Sequence, residues 1–199
     1  MDFPDPSTSA GATVLLFHHA QGQTKGFLDF ADWLRAAGCT VHAPDLYEGM
    51  TFATVEEGVA NAQKVGFDEI IRRGVASADS LPKDIVYGGF SLGVLPAQKL
   101  AETRPGARGA LFYHGCIPQP SFGPWPAGVP VEIHMMEHDK WLEEDLDAAI
   151  AMDRDVPGAK LWLYPGSGHL FADSGSPDYD EAAAALLKQR TLAFLRRLW

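Results

Sequence analysis

The sequence predicts an α/β fold in which helices cover both faces of a mostly parallel central sheet. Short β-branched and apolar segments alternate along the chain with segments whose apolar residues recur at helical spacing. Such alternation is typical of strands joined by crossover helices, which pack on both faces of a parallel sheet. The 199 residues suit one domain with a sizeable core. We therefore expect a single domain over residues 1–199, in which residues 1–12 form a short strand or a flexible tail.

The first strands are indicated by short β-branched runs on either side of a helix. Residues 13–17 read Thr-Val-Leu-Leu-Phe and predict a strand. Apolar residues three, four and seven positions after Phe27 predict a helix over residues 27–37, and Gly38 ends it. Residues 40–43 read Thr-Val-His-Ala and predict the second strand.

The middle of the chain continues the same alternation. Residues 55–78 indicate one helix or two, with a bend near Gly66 or Gly74. Residues 84–87 predict the next strand, and a helix follows over residues 94–103. The remaining predicted elements are strands over residues 109–113, 131–135 and 160–164, helices over residues 142–153 and 179–198, and a proline-rich loop over residues 117–130.

A glycine-rich turn connects the strand at residues 84–87 with the helix that follows it. Residues 89–93 read Gly-Phe-Ser-Leu-Gly and match the G-x-S-x-G pattern of a nucleophile elbow. In an elbow the serine lies on a tight strand-to-helix turn, and glycines on both sides leave room for that turn. The alternative is an ordinary glycine-rich turn that contains a serine. The flanking strand and helix favour Ser91 as a nucleophile.

A serine hydroxyl needs a base, and the base needs an orienting carboxylate. His169 follows the last predicted strand in a glycine-rich loop, at the sheet edge where ligands bind in such folds. We predict that His169 is the base. His114 and His134 fall in or beside strands and are interpreted as hydrogen-bonded structural residues, and His138 as solvated.

The acid is expected after the strand at residues 131–135. Asp139 and Glu137 both lie there, and Asp139 is favoured because it sits farther into the loop, where it can fold back toward the histidine. Asp145 and Asp147 fall on the next helix and are interpreted as parts of a solvated face.

Two backbone N–H groups are expected to stabilise an oxyanion. One belongs to Leu92, directly after the serine, and the other to Ala20 in the loop after the first strand. The adjacent His18 and His19 raise the question of a metal, but no third ligand has suitable spacing. We expect neither a metal nor another cofactor.

Composition narrows the classes of partner and location. The net charge of −10 argues against a nucleic-acid ligand, which would require clustered lysine and arginine. No run of about 18 apolar residues is present, and the N-terminus lacks the features of a secretory signal, so we expect no membrane partner and a cytoplasmic protein. Cys39 and Cys116 are expected to be buried free thiols. A monomer and a homodimer both remain open.

Three stretches resemble the dienelactone hydrolase family of α/β-hydrolases. They are Ala-Pro-Asp-Leu-Tyr at residues 43–47, Gly-Gly-Phe-Ser-Leu-Gly at 88–93 and Tyr-Pro-Gly-Ser-Gly-His-Leu-Phe at 164–171. The resemblance extends over most of the chain, residues 14–198. It implies the α/β-hydrolase fold with a sheet of eight strands or slightly fewer, no large lid domain, and a triad of Ser91, Asp139 and His169.

Three positions depart from the family pattern. The family's well-known enzymes carry a cysteine at the position of Ser91, a glutamate at that of His19, and a substrate-binding arginine at that of Asp173. A carboxylate beside an anionic substrate would repel it. We therefore expect a neutral ester or lactone as substrate.

The sequence thus predicts a serine hydrolase that cleaves small neutral carboxylic esters or lactones through an acyl-enzyme. Alternatives are a dienelactone, thioester or phosphotriester hydrolase that uses the same triad, and a ligand-binding protein whose triad is idle. The residues expected to line the substrate pocket are His19, Phe122, Trp125, Trp141 and Phe171.

Overall fold

The computed structural model describes residues 11–141 and 143–199, and its centre is a parallel β-sheet of six strands. The strands are β1 (Thr13–Phe17), β2 (Thr40–His42), β3 (Val86–Phe90), β4 (Gly109–Tyr113), β5 (Val131–Met136) and β6 (Ala159–Tyr164). The helices are α1 (Lys25–Ala36), α2 (Val55–Val65), α3 (Phe67–Ala76), α4 (Val94–Thr103), α5 (Glu143–Asp155) and α6 (Glu181–Leu198).

The strand order is β2-β1-β3-β4-β5-β6, and every neighbouring pair is parallel. The chain therefore reverses its direction of progress across the sheet once, after β2, and then advances strand by strand to β6. Ligands bind in such sheets beyond the carboxyl ends of the strands. The predicted α/β-hydrolase fold is confirmed, with six strands among the described residues.

Helices pack on both faces because strand side chains alternate between them. On β1, Val14 and Leu16 belong to the apolar core shared with α1 and α6. Leu15 and Phe17 belong to the core on the opposite face, with α2, α3, α4 and α5. All four side chains are buried, so β1 is apolar at both faces, as expected of a central parallel strand.

The predicted element boundaries differ from the observed ones at a few positions. Helix α1 begins at Lys25 because the Thr24 hydroxyl accepts a hydrogen bond from the Phe27 N–H and caps the first turn. The helical stretch after residue 54 forms two helices, which meet at Gly66 with a φ of 92°. The proposed strand or tail at residues 1–12 lies almost wholly outside the described residues, and so does residue 142, the predicted start of α5.

Two further expectations concern the cysteines and membrane insertion. Cys39 and Cys116 are both buried free thiols, as predicted. Among the helices in the described part of the chain, none combines the length and hydropathy needed to cross a bilayer.

Candidate active site

Ser91 lies at the carboxyl end of β3 on a sharp turn. Its φ of 49° is in the left-handed region, which non-glycine residues seldom adopt, and a 3-10 turn over Ser91–Gly93 leads directly into α4. A Cβ on Gly89 would lie 2.2 Å from the carbonyl oxygen of Gly93, and one on Gly93 would lie 2.5 Å from that of Phe17. Both positions therefore require glycine, as the elbow pattern predicts.

Three side chains from three loops meet at this turn. The Ser91 Oγ lies 2.8 Å from His169 Nε2, and His169 Nδ1 lies 2.7 Å from Asp139 Oδ2. His169 and Asp139 are buried, 3% and 6% exposed. Because a carboxylate only accepts hydrogen bonds, Nδ1 carries the imidazole proton and Nε2 is free to accept the one from Ser91. The structure thus brings together the serine, acid and histidine that the sequence singles out.

Backbone and side-chain bonds hold the base and the acid in place. The Trp141 N–H donates to Asp139 Oδ1 at 2.9 Å, and the His169 N–H donates to Asp178 Oδ2 at 3.1 Å. The indole of Trp141 lies beside the His169 imidazole, with ring centroids 6.0 Å apart. Glu137, the competing acid, is exposed.

The loop after β1 packs directly against the elbow. A Cβ on Gly93 would lie 2.7 Å from the carbonyl oxygen of His18, so the two loops approach to backbone contact. The Leu92 N–H is among the first N–H groups of the turn, which lack an intrahelical acceptor. The Ala20 N–H has no acceptor among the described residues. Within residues 11–141 and 143–199, both N–H groups expected in the oxyanion hole are therefore free to donate to a ligand.

A cleft of about 290 Å³ lies beside the His169 loop. Its walls come from the loop after β1, the start of α2, the loop after β5 and the loop after His169. The lining residues are Gln21, Ala53, Thr54, Val55, Glu56, Trp141, Ser176, Pro177 and Asp178.

Of the aromatic residues expected in the pocket, only Trp141 lines this cleft, and the other three expectations are wrong. The Phe122 N–H donates to Glu102 near the end of α4, and the Trp125 indole donates to the Val129 carbonyl just before β5. Those contacts lie toward the sheet edge opposite Ser91. Phe171 is fully buried in the core shared with α1 and α6.

His19, the other residue expected in the pocket, is also buried in the structure. Its side chain is 0% exposed, and its Nε2 lies 2.7 Å from Asp173 Oδ2. His18 is equally buried, with Nδ1 near the His19 carbonyl oxygen and Nε2 accepting from the Leu46 N–H. Burial lowers the pKa of His18 to about 4. No cluster of metal-ligating side chains occurs in the described ranges.

His114 differs from the sequence expectation of a hydrogen-bonded histidine. Neither of its ring nitrogens has a hydrogen-bond partner among the described residues, and its φ is 60°. Its ring packs edge-on against Phe171 at 4.6 Å and lies 6.2 Å from the His169 ring. Burial holds the pKa of His114 well below its usual value, and nearby His169 and His19 add to the effect. A neutral ring therefore lies beside the His169 imidazole.

Asp145 is half-buried rather than part of a solvated face. Its Oδ2 accepts the Cys116 N–H at 3.3 Å, and burial raises the pKa of its carboxyl. The sequence contained a signal for this orientation: Asp145 precedes Ala148, Ala149 and Met152 at helical spacing, and all three are buried. It therefore lies on the apolar face of α5.

Several solved structures have folds similar to this one. They include a dienelactone hydrolase-like promiscuous phosphotriesterase from metagenomic libraries (18% identity, TM-score 0.70, 95% of this chain and 87% of that one covered). Esterase PE8 has 20% identity and a TM-score of 0.61, with 99% of this chain and 97% of that one covered. The dienelactone hydrolase of Anabaena variabilis has 21% identity and a TM-score of 0.61, with 94% of this chain and 87% of that one covered. At these identities the likeness concerns the fold.

The family follows from the sequence itself. Residues 4–199 match the model of the dienelactone hydrolase family, so the chain belongs to that family. The predicted class, a carboxylic ester hydrolase of the dienelactone hydrolase type, is confirmed at the level of the family. Among curated proteins, none matches the sequence significantly.

Proposed function

We propose that this protein is a serine hydrolase that cleaves small neutral carboxylic esters or lactones through an acyl-enzyme. One observation carries the proposal: the hydrogen-bond chain from Ser91 through His169 to Asp139, with distances of 2.8 and 2.7 Å. This chain has the geometry that activates a serine hydroxyl. The strained backbone of Ser91 supports the same chemistry, and so do the N–H groups of Leu92 and Ala20, which have no acceptor among the described residues.

In the first step the Ser91 oxygen attacks the ester carbonyl carbon while His169 Nε2 takes its proton. Asp139 stabilises the imidazolium that forms. The N–H groups of Leu92 and Ala20 donate to the developing oxyanion. The tetrahedral intermediate then collapses, the bond to the alcohol oxygen breaks, and His169 protonates the departing alcohol. A covalent acyl-serine remains.

In the second step water replaces the alcohol. His169 takes a proton from the water, whose oxygen attacks the acyl carbonyl carbon. The bond to the Ser91 oxygen then breaks, and the proton returns from His169 to the serine. The carboxylic acid leaves, and the enzyme is restored with no cofactor consumed.

The charges around the cleft support a neutral substrate. Glu56 and Asp178 are exposed carboxylates on its wall, and the described lining residues include neither lysine nor arginine. An anionic substrate would therefore meet repulsion without a cationic partner. Contrary to the sequence argument, the carboxylate of Asp173 is not on the wall of the cleft: it is 2% exposed and hydrogen-bonded to His19.

The direct test is a substrate panel on the purified protein and its Ser91→Ala variant. The panel contains p-nitrophenyl esters of graded acyl length, a lactone, a dienelactone, a thioester and a phosphotriester. We expect short neutral esters or lactones to be the best substrates and the variant to lose at least about 1,000-fold in turnover. If kcat/KM is higher for the dienelactone, the thioester or the phosphotriester than for the neutral esters and the lactone, the preferred compound defines the substrate class instead. Equal turnover by the variant would contradict the serine mechanism.

A further inference from the structure

Beside the elbow, a second histidine–aspartate pair connects two loops of the site. His19 lies in the loop after β1, and Asp173 lies in the loop that carries His169. The two side chains are 0% and 2% exposed, and His19 Nε2 lies 2.7 Å from Asp173 Oδ2. The proposed hydrolytic mechanism assigns no role to either side chain. Polar side chains buried as fully as His19 and Asp173 require a structural or functional reason.

Asp173 has a hydrogen bond on each carboxylate oxygen. Its Oδ2 also accepts from the Thr24 hydroxyl at 2.7 Å, and its Oδ1 accepts from the Gly175 N–H at 2.7 Å. Burial alone would raise the pKa of this carboxyl, but the bonds from His19, Thr24 and Gly175 outweigh it and hold the pKa below its usual value. Asp173 is therefore ionised and presents only acceptors to His19.

The partners of His19 determine where its proton lies. Because Asp173 Oδ2 can only accept, Nε2 carries the proton. At the other side of the ring, the Gln21 N–H donates to His19 Nδ1 at 3.2 Å, so Nδ1 must be unprotonated. Asp173 thus sets the tautomer of His19, and that tautomer provides the acceptor for the Gln21 amide.

These bonds fix the path of the loop around Ala20. The Gln21 N–H turns back to the His19 ring, and the Gly22 N–H donates to the His19 carbonyl at 3.0 Å. With both of these amides directed at His19, the Ala20 N–H remains without an acceptor among the described residues. The loop is also in backbone contact with Gly93 in the elbow.

We propose that His19 and Asp173 are positioning residues that orient the Ala20 amide toward the oxyanion, Asp173 acting through the tautomer of His19. The proposal rests on the proposed function, since it requires an oxyanion at Ser91. The same pair connects the loop after β1, which we call the oxyanion loop, to the loop that carries His169. The Ala20 N–H and the His169 imidazole therefore keep a fixed separation. A displacement of a donor by about 1 Å is enough to lower the rate strongly.

Asp173→Asn is the first variant to test. The asparagine amide has one acceptor oxygen and one NH2 group. If its oxygen faces His19 and Thr24, the bond from the Gly175 N–H is lost; if its NH2 group faces His19, it donates to Nε2 and favours the opposite tautomer of His19. We expect kcat for a p-nitrophenyl ester to fall about 10- to 100-fold while KM changes little, because the affected donor acts on the transition state. The matched control is Asp180→Asn, which changes the capping carboxylate of α6 in the same way and should leave kcat unchanged.

Variants of His19 separate positioning from packing. An asparagine places an amide oxygen near the position of Nδ1 and can still accept the Gln21 N–H, whereas leucine cannot. We expect His19→Asn to retain more of the wild-type kcat than His19→Leu. The inhibition constant of a trifluoromethyl ketone, whose adduct carries an oxyanion, should rise in each variant in proportion to the loss in kcat/KM.

Urea unfolding of every variant identifies any that simply fail to fold. The positioning role is overturned if folded Asp173→Asn keeps the wild-type kcat, or if His19→Asn and His19→Leu lose activity equally while KM rises. Ser91→Ala, assayed in parallel, reports on the proposed function separately: activity in that variant would contradict the serine mechanism, whatever the result at positions 19 and 173.

Discussion

The Ser91 hydroxyl and the His169 imidazole are 78 residues apart in sequence and 2.8 Å apart in space. They meet because β3 and β6 are parallel, so that the loops after both strands emerge at the same edge of the sheet. Asp139, after β5, reaches the far side of the imidazole at this edge. In the proposed mechanism this short separation is the path along which the serine proton moves to His169.

Replacing Asp139 by asparagine should lower kcat by about 1,000- to 10,000-fold, because an amide can donate to Nδ1 and thereby stabilise the wrong tautomer of His169. Glu137→Gln serves as the matched control, since Glu137 is exposed. Steady-state hydrolysis of a p-nitrophenyl ester measures both. Similar losses in the two variants would argue against Asp139 as the orienting acid.

Replacing Gly93 by alanine should destabilise the protein and reduce activity together. The new Cβ would lie 2.5 Å from the Phe17 oxygen and 2.7 Å from the His18 oxygen, so the oxyanion loop must shift. Overpacking of this kind costs about 1–3 kcal/mol of unfolding free energy. Urea denaturation and kcat measure the two effects. Gly123→Ala is the control, because its Cβ would have only the Thr103 side chain nearby, at 4.0 Å.

Buried neutral histidines should make stability fall in mild acid. Burial lowers the pKa of His18 to about 4 and of His134 to about 3, and it holds that of His114 well below its usual value. As pH falls below about 6.5, the unfolded chain binds protons that the folded one does not, so unfolding becomes easier. For His18 the window extends from the unfolded pKa near 6.5 down to about 4, where His18 is half protonated in the folded state.

Well below pH 6.5 each such histidine contributes a limiting slope of about 1.4 kcal/mol per pH unit, or about 4 for all three, and at pH 6.5 about half of that. Urea unfolding at pH 7.5, 6.5, 5.5 and 5.0 measures this slope. His134→Phe should reduce it by about one third. An unfolding free energy that stays constant between pH 6.5 and 5.0 would contradict the assignment of neutral buried rings.

The charge of the cleft predicts discrimination against anionic esters. We expect kcat/KM for p-nitrophenyl succinate, a monoanion, to be about tenfold below that for the neutral butyrate at low salt, and the gap to narrow as salt rises. Glu56→Gln should also narrow it. The matched control is Asp68→Asn. It removes a carboxylate from the first turn of α3, as Glu56→Gln does from the first turn of α2, and should leave the ratio of the two kcat/KM values unchanged. A preference for the succinate would contradict a neutral substrate.

The elements and the three central side chains could be predicted because they follow local rules. Strand and helix periodicities locate the alternation, and Gly66 ends α2 because its φ of 92° suits glycine. Ser91, Asp139 and His169 could be selected because each directly follows a strand, and parallel strands direct such loops to one edge.

The pocket could not be predicted in the same way, because residue type does not tell which edge or layer a side chain reaches. Trp125 follows β4 in the sequence, but the long loop carries it back to the edge where β5 begins. Phe171 follows His169 closely and still turns into the core. The pairing of His19 with Asp173 joins two distant loops, and its only trace in the sequence is that both positions depart from the family pattern.

The most direct test of the central claim is labelling with a fluorophosphonate, which forms a covalent bond with an activated serine. The purified protein and its His169→Ala variant are incubated with the probe, and labelled peptides are identified by mass spectrometry. We predict one label per chain, on Ser91, with loss of esterase activity in step with labelling, and far slower labelling of the variant. A protein that hydrolyses esters while Ser91 stays unlabelled, or that labels equally fast without His169, would contradict the account.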